Sequence, residues 1–389
     1  MSQNTKTQKS DQFNQPAVII ERLKAEQGEL GLLTLNVGKT LNSLTLEMVH
    51  LLTDALTSWA DDDNIKAVIL RGAGDKAFCA GGDVQALYQS AINPVDGVCS
   101  GAEDFFLHEY QLDYLIHTYD KPIICLGNGI VMGGGLGLMA GASHRVVTET
   151  SRIAMPEITI GLFPDVGLTF FLNLLSYNFG FFFGLTGAQM NANDALFCHL
   201  ADFAMTWSSY HELMKLLCRT AWEPDDETNH LLVKRALEKV ACPSTSLPPG
   251  NVKQNLSVLE SACQHNCLSL MLEAFEQFDD DNPWLNKAKT ALNKGSAFSA
   301  LAIYEQLKRH AYVDLESAFI SEYTLACNMV GYPDFAEGVR ALLIDKDKNP
   351  QWQYQNVAQI SSSTIDELFK PRWDVNPLES LLRASLNAE

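Results

Sequence analysis

Two carboxylates stand in an otherwise apolar, glycine-rich stretch, Met155-Pro156-Glu157-Ile158-Thr159-Ile160-Gly161-Leu162-Phe163-Pro164-Asp165-Val166-Gly167. Carboxylates are rarely buried unless paired or put to use, and desolvation moves their pKa values toward the range of acid/base chemistry. A helix cap at Glu157 and a plain turn at Phe163 to Gly167 are the competing structural reading. Two glycine-centred turns lie upstream. Ala77-Phe78-Cys79-Ala80-Gly81-Gly82-Asp83 runs straight into a helical pattern. Paired glycines let backbone pass close to a ligand, and a helix start offers free N–H groups and the positive end of its dipole. Such a turn can hold an anion or a developing oxyanion; the structural alternative is a tight strand-to-helix turn capped by Asp83. Gly127-Asn128-Gly129-Ile130-Val131-Met132-Gly133-Gly134-Gly135-Leu136-Gly137 follows an apolar strand and precedes the helical stretch Leu138 to Ala142. Consecutive glycines are costly to order, and close approach of a ligand or another backbone accounts for them better than a surface loop.

Other chemistries lack their residues. No Gly-x-Ser-x-Gly elbow supplies a serine nucleophile, and no Walker A or His-Glu-x-x-His motif occurs. Gly135-x-Gly137-x-x-Ala140, with Glu157 roughly 20 residues on, fits the dinucleotide fingerprint. That turn belongs after the first strand of its domain, and several strand candidates precede it here, so the fit is set aside. Cys263 and Cys267 flank His265, but no second ligand pair at metal spacing follows, so no metal is expected.

The elements that must position these residues read as short strands alternating with helices. Pro16 to Leu23, Gly31 to Asn36, Ile65 to Arg71, Pro122 to Leu126 and Arg145 to Thr148 have strand character. Thr45 to Ala60, Val84 to Ala91 and Tyr110 to Thr118 repeat apolar positions at helical spacing. This alternation predicts an α/β architecture. After about Met205 long helical patterns take over: His211 to Trp222, Asn229 to Val240, Gln254 to Phe278, Ser296 to Arg309 and Leu315 to Met329. The division is a polar tail over 1–15, an α/β core over 16–205 and a mostly helical region over 206–389.

With 389 residues, 47% hydrophobic and 19% charged, the chain has ample material for a large core. A net charge of −19 argues against nucleic acid as a partner. It leaves room for a small anion held by local N–H groups. Nine scattered cysteines predict a reducing, cytoplasmic setting. The polar stretch Met1 to Gln15 lacks an apolar segment and arginine, so neither a secretory signal nor a transit peptide is expected. The longest apolar run, Phe179 to Leu185, is too short to span a membrane, and no membrane partner is expected.

In order and spacing the three motifs resemble the crotonase (enoyl-CoA hydratase/isomerase) superfamily, over about Pro16 to Trp352. Lys76 to Asp83 is similar to that family's Lys-x-Phe-x-x-Gly-x-Asp loop, Met132 to Gly137 to its second glycine turn, and Pro156-Glu157 to its catalytic-acid position. The resemblance implies a crotonase-like spiral of ββα turns with a helical C-terminal region that supports homo-oligomer contacts. It implies an acyl-CoA substrate whose thioester carbonyl is polarised by the N–H groups of Gly82 and Gly134. Hydratases carry one glutamate two residues after the glycine triplet, where this chain has Gly137, and have glycine where it has Asp165. The chain is more similar to the 3-hydroxyisobutyryl-CoA hydrolases. It shares Phe-Cys-Ala-Gly-Gly-Asp, Met-Gly-Gly-Gly, Ala-Met-Pro-Glu and Ile-Gly-Leu-Phe-Pro-Asp-Val-Gly. It also shares Phe105-Phe106-Leu107-His108-Glu109-Tyr110 and Asp334-Phe335-Ala336-Glu337-Gly338-Val339-Arg340-Ala341. One departure is Leu168-Thr169, where hydrolases continue with glycine.

That resemblance implies thioester hydrolysis, with Glu157 as nucleophile or general base and Gly82 and Gly134 as oxyanion donors. Asp165 and Glu109 would read the acyl hydroxyl, and Ala80, Gly81, Asp83 and Gly133 would line the substrate. CoA is then part of the substrate, and no cofactor is expected. The rivals are a hydratase or isomerase and a non-catalytic scaffold. Substitution at Gly134 is expected to be destructive and Gly141→Ala to be tolerated.

Overall fold

Alternating side chains along the β-branched and leucine-rich runs set the first sheet. In the computed structural model, which describes residues 16–386, Val18–Lys24 (β1) and Glu29–Leu35 (β2) pair antiparallel. The tail expected over 1–15 lies outside the described residues. Ile65–Gly72 (β3) joins β2 in parallel. The next strands come in pairs. Ala77–Cys79 (β4), Ile130–Met132 (β6) and Arg152–Ala154 (β8) form a small parallel sheet, while Ile123–Gly127 (β5), His144–Thr148 (β7) and Phe203–Met205 (β9) extend the large one to the order β1-β2-β3-β5-β7-β9. Each pass of the chain therefore gives one strand to each sheet, which is the expected spiral.

Period-two alternation puts the large sheet between two apolar layers. Leu33, Leu35, Val68, Leu70, Ile123 and Cys125 face the main core. Leu30, Leu32, Ala67, Ile69, Ile124 and Leu126 face Leu213, Leu217, Val233 and Leu237 from the helices Tyr210–Cys218 and Asp226–Val240, and Trp222 from the connection between them. Helix Leu46–Ala60 (α1) begins where the Thr45 side chain accepts from the Met48 N–H at 3.2 Å, and it buries Met48, Leu52, Leu56 and Trp59. Val84–Ile92 (α2) follows the first glycine turn, Ser100–His117 (α3) packs on α1 and α2, and Gly134–Gly141 (α4) follows the second.

Some expectations are corrected. The helix read over Tyr110 to Thr118 starts well before Tyr110, at Ser100. The single helix read over Gln254 to Phe278 is two, Leu256–Cys263 and Leu268–Glu276. Between them Cys267 is extended, and the Tyr304 hydroxyl donates to the Asn266 carbonyl at 2.7 Å, taking it out of helical bonding. The break puts buried Cys263 and exposed Cys267 on different elements. The apolar run at Phe179 lies in helix Phe179–Thr186, its rings buried in the core. Among the described residues no single helix is long and apolar enough to cross a membrane. Met205 ends the last strand, yet the main core continues past it, joining Phe183 and Leu185 to Phe275, Ile303 and Phe319.

Candidate active site

The three strands of the small sheet run parallel, and their carboxyl ends lie side by side, Cys79 paired with Val131 and Met132 with Ala154. Each end delivers one of the three motifs: Ala80-Gly81-Gly82 after β4, Gly133-Gly134 after β6 and Pro156-Glu157 after β8. Carboxyl ends of parallel strands are where such sheets gather ligand-binding loops.

The two glycine turns touch. Gly81 has φ +103°, and a Cβ there would approach the Met132 carbonyl to 3.2 Å. Gly133 has φ +49°, with its Cβ position 3.0 Å from Glu157 Oε1 and 3.6 Å from Gly81 Cα. The Leu44 N–H donates to the Gly81 carbonyl and the Asp83 N–H to the Leu44 carbonyl, both at 2.8 Å. Gly82, between them, directs its own N–H the other way. Gly134 opens α4, so its N–H is free of intrahelical bonding. Among the described residues neither N–H is given to another protein group. A side chain on Gly134 would fall on Glu109 Oε1, and its Cβ would lie 3.6 Å from the Gly82 nitrogen.

Three expected acids converge on this pair. Glu109, on α3, Glu157 and Asp165 are 3%, 7% and 8% exposed. The Tyr110 hydroxyl donates to Asp165 Oδ2 at 2.6 Å. The turn carrying Asp165 is tight, with Val166 at φ +55°. Glu322, from the Leu315–Val330 helix, pins it by accepting from the Gly167 and Thr169 N–H groups at 2.7 Å each. Among the described residues no Lys or Arg pairs with any of these acids. Desolvation, then the charge of Asp165, then that of Glu157 push Glu109 well above the carboxylate range. Burial and Asp165 do the same to Glu157. Asp165 is raised to about 6 by burial, against the pull of the Tyr110 hydroxyl, and burial raises Glu322 to about 8. Mutually repelling buried carboxyls cannot all ionise, so the cluster holds protons at neutral pH.

Two expected contact residues do structural work. Asp83 caps α2, accepting from the Ala86 N–H at 3.3 Å, and Ala80 gives its N–H to the Leu41 carbonyl at 3.1 Å. The dinucleotide-like glycines sit inside α4: a Cβ at Gly135 would strike the Cys79 carbonyl, and one at Gly137 would lie 2.6 Å from the Val166 side chain. Sequence reasoning missed Asp113, Tyr110, Glu322 and His117. The visible signal was the four-residue spacing from Glu109 to Asp113 to His117, which repeats on one helix face.

A family model for enoyl-CoA hydratase/isomerase matches residues 30–369, spanning the glycine turns, the acids and the helices that follow as far as Phe369. The chain belongs to the enoyl-CoA hydratase/isomerase family. Within it, the chain is 33% identical to the Gallus gallus protein "3-hydroxyisobutyryl-CoA hydrolase, mitochondrial", over 92% of this chain and 94% of that one. It is 32% identical to "3-hydroxyisobutyryl-CoA hydrolase 1" of Arabidopsis thaliana, over 92% of each. Among solved members it is similar to an enoyl-CoA hydratase from Rhodobacter sphaeroides 2.4.1, with TM-score 0.78 and 31% identity over 92% of this chain and 98% of that one. A carnitinyl-CoA dehydratase from Mycobacterium thermoresistibile gives TM-score 0.81 and 30% identity over 93% and 98%.

Proposed function

We propose that the protein hydrolyses 3-hydroxyisobutyryl-CoA to 3-hydroxyisobutyrate and CoA, a reaction of valine breakdown. The observation that carries this reading is the pair of unengaged N–H groups, Gly82 and Gly134, bracketed by buried Glu109 and Glu157. The names of the relatives from Gallus gallus and Arabidopsis thaliana support the choice of substrate.

As water or a carboxylate attacks the thioester carbon, negative charge grows on the carbonyl oxygen. The two N–H groups form the oxyanion hole, each such donor contributing about 3 kcal/mol in comparable sites. Glu157 acts at the carbonyl, as a nucleophile giving a mixed anhydride or as a base on water. Asp165, held by Tyr110, and Glu109 read the acyl hydroxyl and fix the acyl group, while the Ala80–Gly81 and Gly133 backbones line its path. Asp83 supports the first turn as the α2 cap. The CoA thioester is substrate, and the chemistry assigned here needs no metal or bound cofactor. A homo-oligomer and a cytoplasmic setting belong to this proposal, the second resting on nine unpaired thiols.

The test is thiol release from a panel of acyl-CoAs. 3-Hydroxyisobutyryl-CoA is cleaved fast, and isobutyryl-CoA far more slowly because buried Asp165, already bonded to Tyr110 at one oxygen, would lose the acyl hydroxyl as a partner; such discrimination reaches ~10⁴. Asp165→Gly erases much of that preference. The name of the Rhodobacter sphaeroides relative favours hydration as a second reading, and crotonyl-CoA decides it: fast hydration without thiol release sinks the hydrolase.

A further inference from the structure

The last stretch of the chain returns to the helix that carries Glu109 and Tyr110. It is anchored at both ends to the Leu315–Val330 helix. At its start the Asn328 amide donates to the Leu368 and Lys370 carbonyls at 2.7 and 3.1 Å. Further on the Asn376 amide donates to the Ile320 carbonyl at 3.2 Å and the Thr324 hydroxyl at 3.1 Å. The Asn376 side-chain oxygen accepts from the Leu378 N–H at 2.9 Å, opening the helix Pro377–Leu386, which packs on α3 with Leu378 and Leu382 buried.

Between the anchors, Arg372 and Trp373 each reach a side chain that bears on α3. Arg372 donates to Glu103 Oε1 at 2.7 Å, in the first turn of that helix. Trp373 stacks on Tyr323 at 5.2 Å between centroids with the planes 20° apart, and the Arg372 guanidinium lies 5.2 Å from the Trp373 ring. Tyr323 meets Tyr110 edge to face at 6.4 Å, and the Tyr110 hydroxyl is the donor on Asp165 Oδ2. These separations lie where aromatic rings hold one another in preferred geometry. Phe106 and Phe319 also touch the Tyr110 ring, tilted at 34° and 53°; among its ring contacts in the described residues only Tyr323 stands nearly perpendicular, at 84°. Glu103 and Tyr110 are two helical turns apart on one face of α3. The C-terminal stretch grips that face at both places, directly at Glu103 and through Tyr323 at Tyr110. Cover alone would be met by apolar side chains, without desolvating the charge of Glu103.

We propose that Trp373 is a positioning residue for substrate specificity: through Tyr323 it holds Tyr110 against Asp165, in the orientation that reads the acyl hydroxyl, while Arg372 fixes Trp373 by its bond to Glu103. The proposal rests on the hydrolase reading and on the part Asp165 plays in it. Trp373 touches no reacting atom. The oxyanion donors and Glu157 follow β4, β6 and β8, so they do not depend on this ladder of rings. What depends on it is the hydrogen bond from Tyr110, and with it the discrimination between acyl groups that carry a hydroxyl and acyl groups that do not.

The test compares thiol release by full-length variants from 3-hydroxyisobutyryl-CoA and from isobutyryl-CoA. Trp373→Ala lowers kcat/KM for the hydroxylated substrate about tenfold, the upper end for an aromatic contact, and leaves isobutyryl-CoA at the wild-type value. A loosened fold would lower both alike. Trp373→Phe, which keeps a stacking ring, recovers most of the preference. Tyr110→Phe lowers the preference by itself, and adding Trp373→Ala to it costs nothing more, because the bond that Trp373 serves is already gone. An unchanged preference in Trp373→Ala overturns the proposal, as do equal losses on both substrates or a further loss on top of Tyr110→Phe. If Trp373→Ala does not fold, Trp373→Leu keeps apolar cover without the stack and is judged by the same ratio. A wild-type protein with no preference for the hydroxylated acyl group overturns the reading of Asp165, and Trp373 with it. A preference that Asp165→Gly erases and Trp373→Ala spares overturns the role of Trp373 alone.

Discussion

Two groups of acids in this molecule have opposite surroundings. At the surface, Arg340 pairs with Glu337, Asp345 and Asp347 at 2.8, 2.6 and 2.7 Å. Its hydrogen bonds hold Glu337 and Asp347 below the usual carboxylate range, fixing them as anions. In the interior, Glu109, Asp113, Glu157 and Asp165 crowd together with no cation, and burial drives them all upward. A carboxylate already paired with arginine has little left to offer a reacting atom. One kept near its protonation point by desolvation can take or give a proton. The contrast separates acids that tie a loop from acids that are available for chemistry.

The strongest way to break the contrast is at the backbone donors between the interior acids. Gly134→Val puts a side chain onto Glu109 Oε1 and closes the approach to the Gly82 nitrogen, so thiol release should be abolished. The fair control is Gly38→Ala, where a Cβ would meet nothing within 4 Å. Gly141→Ala, which the sequence suggests as harmless, is not spare: its Cβ would press on His117 and Ile116. Equal losses at positions 134 and 38 would point to general damage.

Glu157→Gln comes next. It keeps volume and burial but removes the ionisable group, and kcat should fall ~10²–10⁴-fold while the melting temperature holds. Turnover near wild type would remove Glu157 from the chemistry.

A smaller effect separates the two acid groups by pH. Asp165 and Glu322 rise from ordinary values of 3.8 and 4.5 to about 6 and about 8. A raised carboxyl binds more protons folded than unfolded, so stability falls as pH climbs from its unfolded value through its folded one, and nothing is lost below both. Glu337 and Asp347 have the opposite sign, adding stability above their unfolded values that is lost as pH falls. Calorimetry should therefore find a lower melting temperature at about pH 8.5 than at about pH 5.5, with Asp113→Asn narrowing the gap. A flat profile would contradict the protonated interior.

The smallest effect is Arg340→Ala. Its pairs are exposed, and such pairs contribute little and weaken with salt. Melting should shift slightly at low ionic strength, less at high, and thiol release should stay at the wild-type rate. A large loss of turnover would link the surface acids to the site.

The sequence showed the glycine turns, Glu157 and Asp165 because their types are out of place among apolar neighbours, whereas Glu109 came only through the family resemblance. It hid α3 for a related reason. The inward face of that helix carries Glu103, Glu109 and Asp113 beside Phe105, Phe106 and Leu112, so its apolar periodicity is diluted by buried acids. The small sheet was hidden by length. β4, β6 and β8 have three residues each, too few for alternation to register, and they exist because they pair with one another. Glu322 lies 155 residues from Gly167, whose N–H it accepts, a distance at which spacing carries no signal.

That small sheet also acts as a ruler. Hydrogen-bonded strands stand about 4.8 Å apart whatever the connections between them do, so the three motifs keep their separation by strand pitch. The connections are free to vary: the tip at Asp96-Gly97, between α2 and α3, is exposed and can lengthen without moving a donor. One residue inserted into β6 is another matter. It would advance Gly134 by about 3.3 Å along the strand, beyond the tolerance of a hydrogen bond, and turn every following side chain to the opposite face. The reach of the loops and the calibration of the site are set in different parts of the chain, so the two can change independently.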